Sequence, residues 1–331
     1  MSRTKVPTAE DLGNCRAHPS TEQNYEMTHD SIAQNTITSR VVVGVDGSDP
    51  SIAALRWAAY EARRRNAVVL AVSCYSVPVY GSPDGAVYPS HEDLDMHKAG
   101  ADAVIARAME LVAEIDPDVV VDGLTTMSPA GIAIAESARD GDEIVVGATG
   151  HSGFMDGVLG SVAMNVAHRS HVPVVVVPPK PVAEIGPTMC KIVVGVDGSP
   201  GSLQALEWAY GQALLSGAEL TAVHGWIYPY PGQRTSVSEP RTQMQLDAME
   251  ELKASLESLG PRLSSGSIHV HAKLLELSPA EALLDEGKDA DLIVVGSRGR
   301  GALRSALLGS VSRTIVHHAA CPVAIIRQSP S

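Results

Sequence analysis

The chain has 331 residues, about twice the length of a common single domain, so two domains are expected. Its formal net charge of -13 opposes capture of nucleic acid or of an anionic membrane, because both require clustered cationic side chains. The four cysteines are scattered singly, no apolar run approaches the roughly 18 residues of a membrane span, and the N-terminus does not have the order of a signal peptide. We therefore expect a cytoplasmic protein without nucleic-acid or membrane partners.

The first elements of the chain indicate a parallel sheet. Residues 1–38 are polar and show no hydrophobic period, so a disordered extension is predicted there. Short β-branched runs then alternate with helical patterns such as 51–62, the order of βαβ units covered by helices on both faces. An excursion rich in Pro and Gly, 77–89, follows the second strand. The strands of this first copy are predicted at 41–45, 68–74, 119–125, 143–147 and 173–177.

A second copy of the same pattern follows. A proline-containing linker, 179–190, separates the first predicted domain, 39–178, from the second, 191–328. The motif Arg40-Val-Val-Val-Gly-Val-Asp-Gly-Ser48 returns as Lys191-Ile-Val-Val-Gly-Val-Asp-Gly-Ser199, and this spacing is too long for a solenoid repeat. The chain is therefore predicted to be a domain duplication. The strands of the second copy are predicted at 191–196, 219–225, 268–274, 291–296 and 322–326.

Each copy carries the spacing Gly-x-x-Gly-x9-Gly-Ser once. The first glycine is predicted to end a strand and the Gly-Ser pair to begin a helix, whose free backbone N–H groups and positive dipole end suit phosphate oxygens. The alternative is that the glycines only shape a tight connection between strand and helix. The motif residues are Gly147, Gly150, Gly160 and Ser161 in the first copy and Gly296, Gly299, Gly309 and Ser310 in the second.

Asp46 and Asp197 end the first strand of each copy, at the edge where open parallel sheets bind ligands. A carboxylate there can accept hydrogen bonds from ribose hydroxyls or from an adenine amino group. It can equally cap the following helix, because Asp-Gly-Ser followed by proline resembles an N-cap run. The residues leave both interpretations open.

The two glycine loops differ in charge. Arg298 and Arg300 lie in the second loop, where they can neutralise phosphate charge or remain solvated. The first loop has Thr149 and His151 at these positions and also contains Asp156, which adds negative charge. Nucleotide affinity is therefore expected to differ between the copies.

Other conspicuous residues favour structural roles. Trp57 and Trp208 occupy the apolar stripe of the first helix of each copy, which favours core packing. His168 is predicted to lie at a helix end rather than in a metal site, because no complete ligand set accompanies it. Ser128 and Ser278 precede prolines and are predicted to cap helices, since neither lies in a Gly-x-Ser-x-Gly elbow.

These motifs together resemble the ATP-binding branch of the universal stress protein family. They are Val-Val-Gly-Val-Asp-Gly-Ser, Asp-Leu-Ile-Val-Val-Gly-Ser-Arg-Gly-Arg-Gly301, Leu308-Gly-Ser-Val311 and Ala320-Cys-Pro-Val323. The resemblance covers 40–178 and 191–327, and the tandem form is similar to members from mycobacteria and other actinobacteria. It implies two Rossmann-like, adenine nucleotide alpha hydrolase-like α/β domains. Each would be a five-stranded parallel sheet of order 3-2-1-4-5 with helices on both faces.

The resemblance also implies ligands and partners. ATP would lie at the crossing of strands one and four of each copy, and Mg²⁺ could bridge its phosphates. The last strands, 174–177 and 324–326, would pair across a dimer interface, either within one chain or in a homodimer. The first site would be formed by Gly44, Asp46, Cys74, Gly147, Ala148, Thr149, Gly150, His151, Ser152, Gly153, Gly160, Ser161 and Val162. The second would be formed by Gly195, Asp197, Gly225, Gly296, Ser297, Arg298, Gly299, Arg300, Gly301, Ala302, Gly309, Ser310, Val311 and Ser312.

The leading functional hypothesis is a nucleotide-dependent regulator in a stress or dormancy response. The sequence lacks a Gly-x-x-x-x-Gly-Lys-Ser/Thr phosphate loop and shows no strong candidate for a base that activates water. No catalytic residue is therefore predicted, and ATP hydrolysis is expected to be slow at most. The alternatives are a slow ATPase or nucleotidyl transferase on the same scaffold, and a protein-interaction module in which nucleotide is incidental.

Overall fold

The computed structural model describes residues 39–77, 80–82, 85–87, 89–150, 159–179, 185–228, 240–261, 268–300 and 308–328. The predicted extension, 1–38, lies outside these residues. The elements up to β7 are called the first half and those from β8 onward the second half. The first half contains β1 (Arg40–Gly44), α1 (Asp49–Arg65), β2 (Val68–Tyr75), β3 (Tyr80–Ser82), β4 (Gly85–Val87), α2 (His91–Ile115), β5 (Val121–Met127), α3 (Ala130–Ser137), β6 (Glu143–Gly147), α4 (Ser161–Arg169) and β7 (Val174–Val177). The second half contains β8 (Lys191–Gly195), α5 (Pro200–Ser216), β9 (Glu219–Gly225), α6 (Arg241–Glu257), β10 (Val270–Leu275), α7 (Pro279–Glu286), β11 (Leu292–Gly296), α8 (Ser310–His318) and β12 (Val323–Ile326).

Ten of the strands form one continuous sheet, in the order β10-β9-β8-β11-β12-β7-β6-β1-β2-β5. Within each half the strands of this sheet are parallel and, counted along the chain, follow the predicted order 3-2-1-4-5. The halves join through an antiparallel pair, β12 with β7, in which Ala324 lies opposite Val175. The last strands therefore pair within one chain, which places two apolar edges at the centre of the sheet.

The strand sequences explain the two helical layers. β1 is a buried run of valines, and its side chains alternate between the two faces of the sheet. Val41 and Val43 belong to the hydrophobic cluster beneath α1, α2, α5 and α6, whereas Val42 belongs to the cluster beneath α3, α4, α7 and α8. The α/β class with helices on both faces is therefore confirmed. None of the helices in the described ranges is both long and apolar enough to span a bilayer.

Three local features depart from the sequence expectations, and the first is that β10 begins at Val270 rather than at 268. β5 begins at Val121 rather than at 119, because the Asp116 carboxylate accepts a hydrogen bond from the Asp118 N–H at 3.0 Å and a turn occupies the preceding residues. The excursion 77–89 contains a two-stranded hairpin, β3 with β4. A segment rich in Pro and Gly does not predict strands, so this pair of strands was not expected.

Candidate functional site

The Asp-Gly-Ser motif after β1 forms the first wall of the candidate site. Ser48 is the N-cap of α1 and accepts a hydrogen bond from the Ser51 N–H at 3.4 Å. Asp46 Oδ1 in turn accepts from the Ser48 N–H at 3.0 Å and from its hydroxyl at 2.5 Å. Gly47 has a φ of +82°, a left-handed conformation that favours glycine. The serine therefore caps the helix, and the aspartate holds the serine in place.

The second half repeats this arrangement after β8. Asp197 Oδ1 accepts from the Ser199 N–H at 3.0 Å and from the Ser199 hydroxyl at 2.6 Å, while Oδ2 accepts from the Arg300 N–H at 3.2 Å. Burial alone would raise the pKa of Asp197, but hydrogen bonds from Ser199, Ser202 and Arg300 outweigh it and place the pKa below its ordinary value. This wall therefore carries a carboxylate that stays ionised at neutral pH.

The glycine loops form the opposite wall. A Cβ on Gly147 would lie 2.8 Å from the backbone carbon and oxygen of Pro50, so only glycine allows the end of β6 to approach the start of α1 this closely. The Gly160 N–H donates to the Ala148 oxygen at 2.7 Å, and the Gly309 N–H donates to the Ser297 oxygen at 2.9 Å. These bonds bring the starts of α4 and α8 next to the ends of β6 and β11.

Each half has a cavity between these walls that is lined by the predicted site residues. The first has a volume of about 310 Å³ and the second about 410 Å³. The predicted residues that line the first are Gly44, Asp46, Cys74, Gly147, Thr149, Gly150, Gly160, Ser161 and Val162. Those that line the second are Gly195, Asp197, Gly225, Gly296, Arg298, Gly299, Arg300, Gly309, Ser310, Val311 and Ser312.

Some predicted residues have other positions. Ala148 and Ser297 are buried and do not line the cavities, because their carbonyls hold the glycine N–H groups just described. Ser312 lines the second cavity, but its hydroxyl donates to the backbone oxygens of Ser297 at 3.2 Å and Gly309 at 3.1 Å. The remaining predicted residues, His151, Ser152, Gly153, Gly301 and Ala302, lie outside the described residues.

Sequence reasoning missed the apolar walls. Strands β2 and β9 and the first turns of α3 and α7 contribute aliphatic side chains to the two cavities. The duplication was the available signal, because most of these residues occupy matching positions in the two halves. The missed residues are Val45, Ser51, Val72, Ala130, Ile134, Val146 and Ala163 at the first cavity and Val196, Ser202, Val223, Pro279, Leu283, Val295 and Leu308 at the second.

Comparison with known proteins agrees with the duplicated fold. The model of the universal stress protein family matches residues 38–178 and again 189–327. The chain belongs to the universal stress protein family. A universal stress protein of Mycobacterium tuberculosis is 32% identical over 296 residues, which cover 87% of this chain and 97% of that protein. One of Mycolicibacterium smegmatis is 30% identical over 307 residues, which cover 89% of this chain and 99% of that protein.

A solved structure supports the fold independently. The crystal structure of a universal stress protein from Archaeoglobus fulgidus superposes with a TM-score of 0.63 and covers 87% of this chain and 96% of that one. Its sequence is only 18% identical, so this likeness concerns the fold alone. The family, its tandem arrangement and the mycobacterial resemblance expected from the motifs are therefore confirmed.

The two halves of this universal stress protein differ in the chemistry around their cavities. Cys74 lines the first cavity, and burial raises the pKa of its thiol, so it presents a neutral side chain. At the second cavity, Nη1 of Arg300 pairs with the carboxylate of Glu251 on α6. Glu251 also lies 3.8 Å from His224 Nε2, and His224 Nδ1 lies 2.9 Å from the Val196 oxygen. The second cavity thus has a charged rim that includes α6.

Proposed function

We propose that this universal stress protein binds ATP, with Mg²⁺ able to bridge the phosphates, and acts as a nucleotide-dependent regulator in a stress or dormancy response. The observation that carries the proposal is the position of α4 and α8, whose N-termini open onto the two cavities. Their N-caps are Gly160 and Gly309, and in the described part of the chain no side chain caps either helix. The first N–H groups of both helices are thus available to phosphate oxygens, and the helix dipole favours the negative charge.

The other walls suit the rest of an adenine nucleotide. The volumes fall in the range of about 300 to 1,000 Å³ that is usual for small-molecule sites. The aliphatic side chains near Cys74 and Gly225 offer flat apolar surface to a base. Asp46 Oδ2 lies beside Gly150, and Asp197 Oδ2 accepts from the Arg300 N–H, so both carboxylates lie next to the glycine loops. A carboxylate there can also accept from ribose hydroxyls. These features support adenosine phosphates over a smaller anion.

The second cavity gives no support to an efficient hydrolase. Among the described residues that line it, the ionisable ones are Asp197, Arg298 and Arg300. Both oxygens of Asp197 accept hydrogen bonds from the protein, and the pKa of this carboxyl is low, so it is a weak general base. This favours a regulator over the alternative ATPase. A homodimer of whole chains stays a prediction, because the last strands already pair within one chain.

The decisive experiment identifies the bound nucleotide and then tests a variant that places negative charge at the proposed phosphate sites. Mass spectrometry of nucleotide released from freshly purified protein should identify adenine nucleotide, and calorimetry should give heat with ATP and magnesium. Ser161 and Ser310 are exposed at the first position of α4 and α8. A double Ser161→Glu, Ser310→Glu variant keeps both helices stable, because an acidic residue suits a helix N-terminus, but its carboxylates repel phosphate.

The expected result is at least tenfold weaker ATP binding in the glutamate variant with an unchanged melting temperature. A Ser161→Gln, Ser310→Gln variant of similar size should stay within about threefold of the wild type, because it adds no charge. If the wild type carries no nucleotide and shows no heat with millimolar ATP and magnesium, the proposal is wrong. Substantial ATP turnover that the glutamate variant loses would favour the enzyme instead.

A further inference from the structure

The duplication provides an internal comparison of the phosphate ends of the two cavities. Aligned on the glycine motif, Thr149 occupies in the first half the position that Arg298 occupies in the second, and each lines its own cavity. Arg300 adds a second cation to the wall of the second cavity. Among the described residues that line the first cavity, the only charged side chain is that of Asp46.

A third arginine, Arg327, lies near Arg298. Arg327 follows β12, where the first half has Pro178 after β7. Burial, and then the nearby charge of Arg298, lower the pKa of Arg327. Its guanidinium is held in place by donating to the His168 oxygen and, at 3.2 Å, to the Ser170 oxygen. Two like charges are thus kept close together, and an anion beside Arg298 would relieve their repulsion.

The two cavity linings differ in their arginines. Arg300 pairs with Glu251, and Asp197 of the second cavity has its counterpart in Asp46 of the first. The lining residue that distinguishes the second cavity is therefore Arg298, which stands where the first half has Thr149. The first cavity is also the smaller one, with a volume of about 310 Å³ against about 410 Å³ for the second. The Cys74 side chain occupies space in the first cavity where the second has Gly225.

We infer that the two cavities select ligands of different charge: the second takes the triphosphate of adenosine, and the first takes an adenosine ligand with at most one phosphate. The inference rests on the proposed function and deepens it. ATP carries several negative charges that the second cavity can neutralise. Among the described residues that line the first cavity, the groups that can meet phosphate are the N–H groups and dipole of α4 and the hydroxyls of Thr149 and Ser161, without a cationic side chain, and this set suits a single phosphate.

The test uses the full chain, two nucleotides and one reciprocal pair of substitutions. Arg298→Thr gives the second cavity the residue of the first, and Thr149→Arg does the reverse. Each new side chain already occupies the same turn in the other half. Calorimetry with ATP and with AMP, both at low and at high salt, gives the number of sites for each chain and their affinities. Thermal unfolding without ligand verifies that each variant is folded.

The wild type should show one tight ATP site per chain, at least tenfold tighter than any second ATP site, whereas AMP should bind the two sites within about tenfold of each other. Arg298→Thr should weaken the tight ATP site by roughly 10- to 100-fold, the usual effect of one hydrogen bond to a charged group, and should change AMP binding by less than about threefold. Thr149→Arg should create a second tight ATP site. The tight sites should weaken with salt, because exposed charges are screened.

The outcomes separate this inference from the proposed function. Two equal ATP sites in the wild type, or loss of AMP and ATP to the same degree in Arg298→Thr, would overturn the inference while leaving nucleotide binding intact. The same holds if a folded Thr149→Arg variant binds ATP as the wild type does. No heat with either nucleotide in the wild type and both variants would instead refute the proposed function.

Discussion

A buried ionic cluster at the junction of the two halves makes a quantitative prediction about pH. Glu61 on α1 and Glu143 on β6 are fully buried. Arg65 Nη2 contacts Glu143 Oε2 at 2.5 Å and its Nε pairs with Glu61, while Arg64 Nη2 contacts Glu61 Oε2 at 2.7 Å. Gln212 of the second half donates to Glu61 Oε1 at 2.9 Å. Glu143 Oε1 is buried without a hydrogen-bond partner in the described part of the chain.

Burial raises the pKa of Glu143 to about 8, with Arg65 opposing this rise and Glu61 adding to it. Between its unfolded value and about 8, the folded chain holds a proton on Glu143 that the unfolded chain has lost. This contribution to stability is full below the unfolded pKa and disappears as the pH rises through about 8. The rise from 4.5 to about 8 corresponds to a ceiling of about 5 kcal/mol.

Glu61 has the opposite sign and a different pH window. Burial alone would raise its pKa, but Arg65, Arg64 and Gln212 outweigh burial and lower it. Its contribution to stability is present above the unfolded pKa and is lost only as the pH falls through the lowered folded value. Glu61 therefore adds little slope between pH 5 and pH 9, and Glu143 is the member of the cluster that titrates there.

The substitution Glu143→Gln keeps the shape of the side chain and fixes it in an uncharged form. We expect the free energy of unfolding of the wild type to fall by roughly 2 to 5 kcal/mol more than that of the variant between pH 5 and pH 9. Urea unfolding followed by circular dichroism at several pH values measures this difference. Comparing the two proteins cancels the titration of groups that both contain.

The chain suggests a control in Glu143→Leu, because Leu292 occupies the equivalent first position of β11 and is fully buried. This variant should also lose the pH dependence that Glu143 confers. If the wild type and Glu143→Gln lose stability equally over this range, the raised pKa of Glu143 is refuted.

Two further predictions concern the framework of the cavities. Ser278 caps α7 within a capping box, so Ser278→Ala should cost about 1 kcal/mol of unfolding free energy, whereas Ser128→Ala should cost almost nothing because no side chain caps α3. Equal losses in urea unfolding would contradict this. A Cβ on Gly296 would lie 2.9 Å from backbone atoms of Gly201, whereas the nearest atom to one on Gly309 lies 3.4 Å away. Gly296→Ala should therefore destabilise the protein by roughly 1 to 3 kcal/mol and Gly309→Ala by much less, and similar melting temperatures would show that the close approach is not rigid.

Most of the fold could be predicted because the duplication presents each pattern twice. β6 and β11 are continuous β-branched runs that end in glycine, and both lie within about one residue of their predicted bounds. The expected Gly-Ser helix starts are α4 and α8, which begin at Ser161 and Ser310. Trp57 is buried as expected, and His168 lies in the last turn of α4.

The buried ions could not be predicted from local pattern. The run Glu61-Ala-Arg-Arg-Arg65 at the end of α1 is typical of a solvated helix end, where cations complement the dipole. Only the packing of α1 against β6 and α5 buries Glu61 and gives Arg65 a second partner in Glu143. Ser128 illustrates the same limit on a smaller scale. Ser128 was predicted to cap α3, but the N-cap of that helix is Pro129 and no side chain caps it. Ser278 caps α7 as predicted.

The two halves share a backbone plan and differ in where they place charge. The first half carries its acids and arginines in the core of the junction, where the second half has Gln212 and Leu292 in place of Glu61 and Glu143. The second half instead places arginines at its cavity. Because these are differences of side chains on the same strand order, each can be reversed by one substitution taken from the other half. Stability against pH and selectivity for ligand charge should therefore respond to separate substitutions, since the residues that carry them lie in different parts of the fold.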